Sequence, residues 1–381
     1  MNKKCLTIAF VTNSYTPYEG GVVSSIKAYA YALRQCGHTV FIVTLDFTGA
    51  PNEHQVIPVF CPIHFDYKYG QIAVPWRAAK ELEVIFLRLN PNIVHIHHPF
   101  VLGSAASDVC KKLGIPTIFT NHTQYGSCLH YVPVPELILR PLVQYKLVKF
   151  CQSIDHIIAP SLFVKNRLIS QGITQPIKVL PSPLLPIFAK NMPLFVHKQS
   201  AHIKKLLYVG RFTEEKNIPT LLQLIKKLPS GRFSLTLAGY GYLEQQLTYY
   251  AYEKLKLSPD IVRFIKKPEK TVLCSLYKES DLFVFASKTE GNPVVFAEAM
   301  AAGTPIVSLR GNWHSEHLID GTNGFWVNNL DHMCEQIETI ERDEELFKKL
   351  QSGAWQTGRY FCSENLTQKL ENIYYQVLAK R

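Results

Sequence analysis

The sequence predicts an α/β protein made of two doubly wound parallel-sheet domains in tandem. The chain has 381 residues, which is more than one typical core and favours two domains of roughly 150 to 200 residues each. Short, β-branched apolar runs alternate with helical patterns along most of its length. A proline-rich segment at 181–203 interrupts this alternation and separates two series of strands.

The first series has five apolar runs, at residues 6–12, 39–45, 92–97, 116–121 and 156–161. Strands that are apolar on both faces are typical of a parallel sheet covered by helices on both sides. Between the first two runs lies a helical pattern at 24–37, which ends with the Gly-His step expected after a helix C-terminus. These features predict an N-terminal domain over residues 1–182.

The second series follows a segment in which four prolines fall within about thirteen residues, a composition unsuited to a helix or a central strand. We interpret 183–203 as a linker and 204–361 as the second domain. Its predicted strands are residues 205–211, 233–239, 261–265, 282–287, 305–309 and 324–327. The carboxyl ends of the strands of the two domains are expected to face each other across a cleft.

Composition limits the classes of partner. The 41 Lys and Arg against 30 Asp and Glu give a net charge of +11 and favour an acidic partner: nucleic acid, an anionic membrane surface or a phosphorylated substrate. Nine scattered cysteines without a C-x-x-C pair indicate reduced thiols. The N-terminal apolar run is too short for a signal peptide, and no segment is long enough to span a membrane, so we expect a cytoplasmic location.

Residues 287–307, S-K-T-E-G-N-P-V-V-F-A-E-A-M-A-A-G-T-P-I-V, combine a strand end, a helix start and two carboxylates. Asn292 is the predicted N-cap and Pro293 the predicted first helical residue. The N–H groups near Val294 and Val295 then offer an anion the positive end of the helix dipole.

Two glutamates flank this predicted anion site. Glu298 lies about 7.5 Å along the helix from Pro293, within reach of a ribose if a phosphate binds at the helix start. Glu290 precedes the helix and would lie near whatever group is attached to the other end of a diphosphate. An isolated E-x7-E pair is usually no more than solvated charge, so the pair needs support from other motifs.

Three other strand ends supply that support. Arg211 ends a predicted strand and Lys216 follows five residues later, so both can converge on a pyrophosphate, although a solvated charge run is the simpler interpretation. Gly20 and Gly21 precede the first helix and allow close backbone approach to a ligand, or form an ordinary helix entry. His122 directly follows a strand, where a catalyst and a partly buried structural histidine are about equally expected.

Together these motifs resemble the retaining glycosyltransferases of family 4, which have the GT-B architecture of two Rossmann-like domains. The resemblance covers nearly the whole chain. It rests on the Gly20-Gly21 loop, His122, G-R-x4-K at Gly210 to Lys216, the A-G-Y-G turn at Ala238 to Gly241 and E-x7-E.

The resemblance implies roles for the site residues. It places Arg211 and Lys216 on the donor diphosphate, Glu298 on the ribose, and His122 and Glu290 beside the transferred sugar as catalytic residues. The remaining implied donor-binding residues are Gly20, Gly21, Gly239, Asn292, Pro293, Val294 and Val295. Such enzymes need no metal and no cofactor, and the sequence contains no D-x-D motif. Relatives usually have a glycine where Lys266 or Lys267 follows the strand at 261–265, so UDP and GDP both remain open as the donor nucleotide.

A narrower resemblance concerns the acceptor. The segment H-T-Q-Y-G-S-C-L-H-Y resembles one in members that glycosylate diacylglycerol, and it implies acceptor-binding roles for Thr123, Tyr125, His130 and Tyr131, together with Tyr15. The following segment mixes apolar residues with Arg140, Lys146 and Lys149. It fits either contact with an anionic bilayer or a core-facing helix with solvated lysines.

The two resemblances together imply transfer of a hexose, glucose from UDP-glucose, to a membrane lipid such as diacylglycerol, by a protein at the inner face of the cell membrane. One alternative keeps the fold and takes a lipopolysaccharide or polysaccharide precursor as acceptor. Another is a basic nucleic-acid-binding protein, although no zinc-finger, RNP-like or helix-turn-helix signature occurs. A dehydrogenase and a P-loop ATPase are disfavoured because neither glycine motif is present. The resemblance also implies that an amphipathic helix at 362–381 packs back on the first domain.

Overall fold

The computed structural model describes residues 4–50, 52–67, 70–127, 135–190 and 204–380. The chain forms two compact units: unit 1 comprises Met1–Leu185 and Ser363–Arg381, and unit 2 comprises Pro186–Cys362. The division falls within the predicted linker at 183–203. In that segment residues 186–190 form a short helix instead of an irregular connection, and residues 191–203 lie outside the described part.

Unit 1 is a seven-stranded parallel sheet with helices between its strands, in the order β3-β2-β1-β6-β7-β8-β9. Its elements are β1 (Thr7–Thr12), α1 (Gly21–Gln35), β2 (Thr39–Leu45), β3 (Val56–Val59), β4 (Ile63–Tyr67), β5 (Gly70–Val74), α2 (Ala78–Leu89), β6 (Ile93–Ile96), α3 (Leu102–Leu113), β7 (Thr117–Thr120), α4 (Glu136–Gln152), β8 (His156–Ala159), α5 (Leu162–Ser170) and β9 (Ile177–Val179).

Unit 2 is a six-stranded parallel sheet in the order β12-β11-β10-β13-β14-β15. Its elements are α6 (Pro186–Lys190), β10 (Lys204–Arg211), α7 (Ile218–Lys227), β11 (Phe233–Tyr240), α8 (Glu244–Tyr249), β12 (Val262–Lys266), α9 (Lys270–Glu279), β13 (Leu282–Phe285), α10 (Val294–Ala301), β14 (Ile306–Leu309), β15 (Gly324–Val327), α11 (Leu330–Arg342) and α12 (Glu344–Tyr360). The two predicted doubly wound sheets are thus confirmed.

The central strands form because their apolar side chains are covered on both faces. Every residue of β6, β7, β8 and β13 is buried, as the continuous apolar runs predict. Four strands were not predicted: β3 and β9 at the sheet edges, and the antiparallel hairpin of β4 and β5. Edge strands are short and less uniformly apolar, so their pattern is weaker.

The last helix, α13 (Ser363–Leu378), belongs to unit 1 and packs on α1. Its Tyr374 hydroxyl lies 2.7 Å from Nδ1 of His95, and its Glu371 Oε1 lies 2.9 Å from Nε2 of His38. The amide N–H of Leu6 donates to Nδ1 of His38, so Nε2 carries the proton and donates to the carboxylate. These buried polar contacts fix α13 against the sheet of unit 1.

Candidate active site

The helix that follows β13 begins one residue later than predicted. Pro293 is the N-cap, with φ −71° and ψ 101°, and Val294 is the first helical residue. Asn292 is therefore not the cap, and its side chain makes no capping bond in the described structure. The reason is that ψ of Pro293 lies in the extended region, which only a residue outside the helix can adopt.

The anion site predicted at this helix start keeps its geometry. The first amide that bonds back toward the cap is that of Phe296, which donates to the Pro293 carbonyl (2.9 Å). The N–H groups of Val294 and Val295 precede this bond, and the first N–H groups of a helix have no intrahelical partner. The helix ends with Gly303 in the left-handed region at φ +69°, as the Gly-Thr-Pro sequence predicts.

Glu298 lies in the middle of α10, where its carboxylate is buried among apolar residues. Only 5% of the residue is exposed, and Oε2 accepts a hydrogen bond from the Tyr277 hydroxyl of α9 (2.8 Å). Burial raises the pKa of Glu298, while Lys270 and the Tyr277 hydrogen bond lower it. A carboxylate held in this way is a preorganised hydrogen-bond acceptor.

Lys216 and Glu290 form an ion pair, with both side chains mostly buried. The loop after β13 brings them together, because Ser287 Oγ (3.2 Å) and the amide of Lys288 (2.8 Å) both donate to the carbonyl of Glu215. Arg211 instead pairs with Glu215 at 3.1 Å. The two basic residues of G-R-x4-K thus each neutralise a carboxylate at the carboxyl edge of the unit 2 sheet.

Glycines allow the strand ends of this edge to approach closely. A Cβ on Gly239 would lie 1.8 Å from the carbonyl oxygen of Gly210, and one on Gly241 would lie 2.3 Å from that of Phe212. The close pairing of β10 and β11 therefore requires glycine at both positions. Gly239 has this packing role whatever its predicted role in donor binding.

His122 of unit 1 is the last of a chain of histidines at the carboxyl ends of β6 and β7. Nε2 of His122 lies 2.9 Å from Nδ1 of His97, whose ring stacks on that of His95. The nearby His98 contacts the Thr12 hydroxyl at 3.2 Å. Of the described residues, no group of three or more His, Cys, Asp or Glu is arranged to hold a metal ion.

The histidines of this cluster are neutral at physiological pH. Burial lowers the pKa of His122 to about 3, with a further contribution from His98. Burial also lowers the pKa of His98 to about 4, and that of His97 to well below its usual range. Because two neutral rings share the bond between His97 and His122, one nitrogen donates and the other accepts, which fixes the orientation of the His122 ring.

The loop after β1 holds the other predicted residues of unit 1. Gly20 and Gly21 are exposed at the start of α1, and a Cβ at Gly20 would meet no atom within 4 Å. Packing within the chain therefore does not require glycine at position 20. Tyr15 is buried, and its hydroxyl donates to Glu53 Oε2 (3.5 Å).

Thr123 and Tyr125 line a cavity of about 70 Å³ in unit 1. Asn121 is buried and lines the same cavity, and its Oδ1 has no hydrogen-bond partner among the described residues. The guanidinium of Arg167, also in the lining, donates to Gln124 Oε1. His130 and Tyr131, which were also predicted to bind the acceptor, lie outside the described residues.

Sequence reasoning missed the partners that position the site. Tyr277, His97 and Glu215 each contact a predicted residue or its loop, but Tyr277 lies in a helix without a motif and Glu215 is one of the unspecified positions of G-R-x4-K. The only sequence signal is the H-I-H-H run at 95–98, three histidines at the end of an apolar strand.

Comparison with known proteins identifies the architecture. The family model "Glycosyltransferase Family 4" matches residues 19–184, and the model "Glycosyl transferases group 1" matches residues 195–356. The chain belongs to glycosyltransferase family 4. The two matched segments correspond to the two sheets, and the predicted GT-B fold is confirmed.

The relatives of this glycosyltransferase include enzymes of glycolipid synthesis. It is 27% identical to the alpha-monoglucosyldiacylglycerol synthase of Streptococcus pneumoniae, over 82% of this chain and 73% of the relative. It is 24% identical to the enzyme of the same name from Acholeplasma laidlawii, over 98% of both chains.

Solved structures confirm the fold. The Anabaena protein HepE in complex with UDP superposes with a TM-score of 0.75 and 17% identity, over 97% of this chain and all of that one. No helix in the described part of this glycosyltransferase is both long enough and apolar enough to cross a membrane.

Proposed function

We propose that this glycosyltransferase moves glucose from UDP-glucose to a membrane lipid such as diacylglycerol, with retention at the anomeric carbon and without a metal or other cofactor. The observation that carries the proposal is the grouping, in unit 2, of the α10 helix start, the buried Glu298 and the Lys216–Glu290 pair. The similarity to monoglucosyldiacylglycerol synthases supports the lipid acceptor.

Unit 2 has the groups that a nucleotide sugar needs. The N–H groups of Val294 and Val295 and the cations Arg211 and Lys216 suit a diphosphate, and they stabilise the charge that develops on it as the sugar departs. The Glu298 carboxylate suits the ribose hydroxyls. The UDP complex of the structural neighbour HepE supports a uridine nucleotide.

The Lys216–Glu290 pair suggests how donor binding prepares catalysis. A diphosphate would compete with Glu290 for the ammonium of Lys216, which would leave the carboxylate to face the sugar. His122, neutral and fixed by His97, is proposed as the second group that contacts the transferred sugar. A neutral imidazole can accept a sugar hydroxyl proton in a hydrogen bond, which an imidazolium cannot.

Calorimetric titration with UDP and UDP-glucose tests this division of roles. Lys216→Ala is expected to weaken binding of both ligands by about tenfold to a hundredfold, because a charged hydrogen bond to the diphosphate is lost. Glu290→Gln is expected to raise UDP affinity, because the carboxylate no longer competes for Lys216, and to lose glucose transfer. Lys227→Ala is the matched control, because Lys227 forms an exposed ion pair with Asp331 in the same unit. Unchanged UDP affinity in Lys216→Ala would refute the proposed donor site.

The proposed acceptor site is the cavity lined by Asn121, Thr123 and Tyr125. A buried amide oxygen without a partner among the described residues suits a hydroxyl donor such as the free hydroxyl of diacylglycerol. Thr123→Val and Asn121→Leu are expected to raise the KM for the lipid and to leave UDP affinity unchanged. Transfer of radiolabelled glucose to diacylglycerol in mixed micelles, with and without EDTA, measures acceptor use and metal independence together.

The proposed peripheral location at the inner face of the membrane is supported by α4. Its N-terminal half exposes Leu137 (89%), Ile138, Leu142 and Tyr145, with the exposed Arg140 between them. Of the α4 side chains that the structure describes, those buried are in its C-terminal part, at Leu147, Phe150 and Cys151. Core packing explains the second half of the helix, and contact with an anionic bilayer explains the first.

A soluble glycan acceptor is the alternative within the same fold. The exposed apolar residues of α4 disfavour it, since a soluble acceptor gives them no role. Transfer to a lipopolysaccharide or polysaccharide precursor at a rate equal to or above that for diacylglycerol would support the glycan acceptor instead of the lipid. Family membership leaves nucleic-acid binding without support.

A further inference from the structure

The hairpin of β4 and β5 exposes a cluster of apolar side chains on one face. Its cross-strand pairs Ile63–Val74 and Phe65–Ile72 lie on the same side of the ribbon, because neighbours in an antiparallel register share a face. All four side chains are exposed, Ile63 to 51% and Phe65 to 47%. Trp76, two residues beyond Val74, is 73% exposed. We call these five residues the hairpin face.

The opposite side of the hairpin is fixed to unit 1. Nε2 of His64 donates to the carbonyl of Asp46 (2.6 Å), and the amide of Gln71 donates to the Tyr18 hydroxyl (2.6 Å). The amide of Thr48 donates to Oε1 of Gln71 (2.9 Å). Ala73, between Ile72 and Val74, is buried in the core. The hairpin is therefore held in one orientation, with its apolar side outward.

The anchoring contacts place the hairpin at the carboxyl edge of the unit 1 sheet. Asp46 and Thr48 directly follow β2, and Tyr18 lies in the loop after β1. The carboxyl ends of parallel strands lie on one edge, so this is also the edge at which His122 follows β7. In the strand order, the hairpin follows the edge strand β3, whereas α4 connects β7 and β8 near the other end. Two exposed apolar surfaces thus flank the proposed acceptor site.

An apolar face of this kind indicates an interaction site, because soluble monomers rarely expose contiguous apolar patches. Charge decides between two occupants. Unit 1 contains 19 Lys and Arg against 11 Asp and Glu, so it has a net charge of +8 out of the chain's +11. Arg77 and Lys80, directly after Trp76, are exposed. Like charge opposes a second copy of the chain and favours an anionic bilayer.

We propose that the hairpin face docks unit 1 on an anionic membrane by inserting its apolar side chains below the lipid headgroups. This inference rests on the proposed lipid acceptor and deepens it, because it makes the hairpin a second contact beside α4. Bilayer contact on both sides of the acceptor site would hold that site at the lipid surface.

Trp76 provides a direct readout. It is the only tryptophan of unit 1, while Trp313, Trp326 and Trp355 belong to unit 2. With vesicles of phosphatidylglycerol and phosphatidylcholine, the emission of the full chain is expected to shift to the blue and to be quenched by brominated acyl chains. Trp76→Phe is expected to abolish both changes. Absence of quenching in the wild-type protein would overturn the proposal.

Partition measurements test the apolar face itself. The double variant Phe65→Ser/Ile72→Ser is expected to bind these vesicles about tenfold or more weakly, because two side chains lose their burial in lipid. The double variant Val272→Ser/Ile319→Ser removes exposed apolar residues from unit 2 and is the matched control. Circular dichroism and thermal melting check that both variants fold. Equal vesicle binding by the two variants would refute the proposal.

Two further outcomes separate this inference from the alternatives. A lipid-free dimer in sedimentation velocity that Phe65→Ser/Ile72→Ser dissociates would make a second copy the occupant and would overturn the proposal. If the double variant keeps transfer to diacylglycerol in detergent but loses it on vesicles, docking is supported. If the wild-type protein docks through Trp76 yet never uses diacylglycerol, the hairpin inference holds and the proposed acceptor fails.

Discussion

Glu298 is a carboxylate within a helix whose neighbouring residues are mostly alanine, methionine and phenylalanine. Its hydrogen-bond donor, the Tyr277 hydroxyl, comes from another helix, and burial raises the pKa of Glu298. Burial of this carboxylate lowers the stability of the protein but holds a hydrogen-bond acceptor in one orientation, and such a combination is common at functional sites.

Glu298→Gln is expected to be more stable than the wild-type protein at pH 8. A group whose pKa is raised on folding takes up protons in the folded state, so its contribution to stability falls as the pH rises above the value for the unfolded chain. The glutamine amide does not titrate, so the extra stability of the variant over the wild-type protein should shrink as the pH approaches 4. Urea unfolding at pH 8 and at pH 4 measures the difference in unfolding free energy between the variant and the wild-type protein. UDP affinity should also fall about tenfold or more in the variant. A difference that does not change with pH would contradict this expectation.

Tyr277→Phe tests the same contact from the other side. Loss of the hydroxyl leaves a buried carboxylate oxygen without its donor, which is expected to cost about 1–3 kcal/mol and to weaken UDP binding. Tyr252→Phe is the control, because that hydroxyl donates to the carbonyl of Val262 (2.9 Å) in the same unit. UDP titration and thermal melting of both variants make the comparison; equal effects on UDP binding would remove the special role of Tyr277.

His97 is expected to act on the reaction through His122. His97→Gln should lower kcat by about tenfold to a hundredfold, the range expected when a reacting group is misplaced. UDP affinity should not change, because the residue lies in unit 1. Measurement of kcat and donor KM tests this expectation. His98→Gln is the control, because the His98 ring contacts Thr12 instead of His122. A change confined to the donor KM would contradict it.

At the scale of elements, the packing of α10 against α12 positions the proposed diphosphate site. Gly358 of α12 lies directly against the last turn of α10. A Cβ there would lie 2.4 Å from the amide nitrogen and 2.5 Å from the Cα of Ala301. These are backbone atoms that cannot rotate away, so only glycine allows this contact.

Gly358→Ala is therefore expected to destabilise unit 2 by about 1–3 kcal/mol, the usual cost of overpacking, and to weaken UDP binding by shifting α10. Gln356→Ala, at an exposed position two residues earlier on the same helix, is the control. Tryptophan-monitored urea unfolding and UDP titration are the measurements. Wild-type UDP affinity in Gly358→Ala would show that α10 does not need this packing.

At the scale of the whole molecule, the two units should respond differently to acid. Unit 1 contains the buried histidines of the cluster and His156, whose pKa values are lowered mainly by burial. Such groups are neutral in the folded state and take up protons on unfolding. Their contribution to the free energy of unfolding is complete above about pH 6.5 and is lost progressively as the pH falls toward 4.

Unit 1 is consequently expected to lose stability between pH 7 and pH 5, while unit 2 loses less. Trp313 and Trp326 are buried in unit 2, whereas Trp76 of unit 1 is already exposed, so the change in tryptophan fluorescence on unfolding follows mainly unit 2. Far-ultraviolet circular dichroism follows both units. In urea at pH 5 the dichroism transition should begin before the fluorescence transition. Coincident transitions with unchanged midpoints at both pH values would contradict the expectation.

Local sequence patterns were enough to predict the two parallel sheets and the strand ends that hold the candidate residues. Apolar runs such as 93–96 and 282–285 are buried on both faces, and a glycine such as Gly303 ends a helix through its own backbone freedom. These signals depend on residues within a few positions of each other. The start of α10 was misplaced by one residue because the conformation of Pro293, not its residue type, decides where the helix begins.

Which side chains contact each other depends on long-range packing. Tyr277 and Glu298 are 21 positions apart, and His38 and Glu371 are 333 apart. No local pattern encodes such contacts, since they depend on how separate helices pack. Lys267 adopts φ +40°, in the left-handed region that favours glycine, and the resemblance places a glycine at Lys266 or Lys267. The hairpin face was missed for the same reason. Its residues read as ordinary apolar sequence, and only the anchoring of His64 and Gln71 shows which side is left outside.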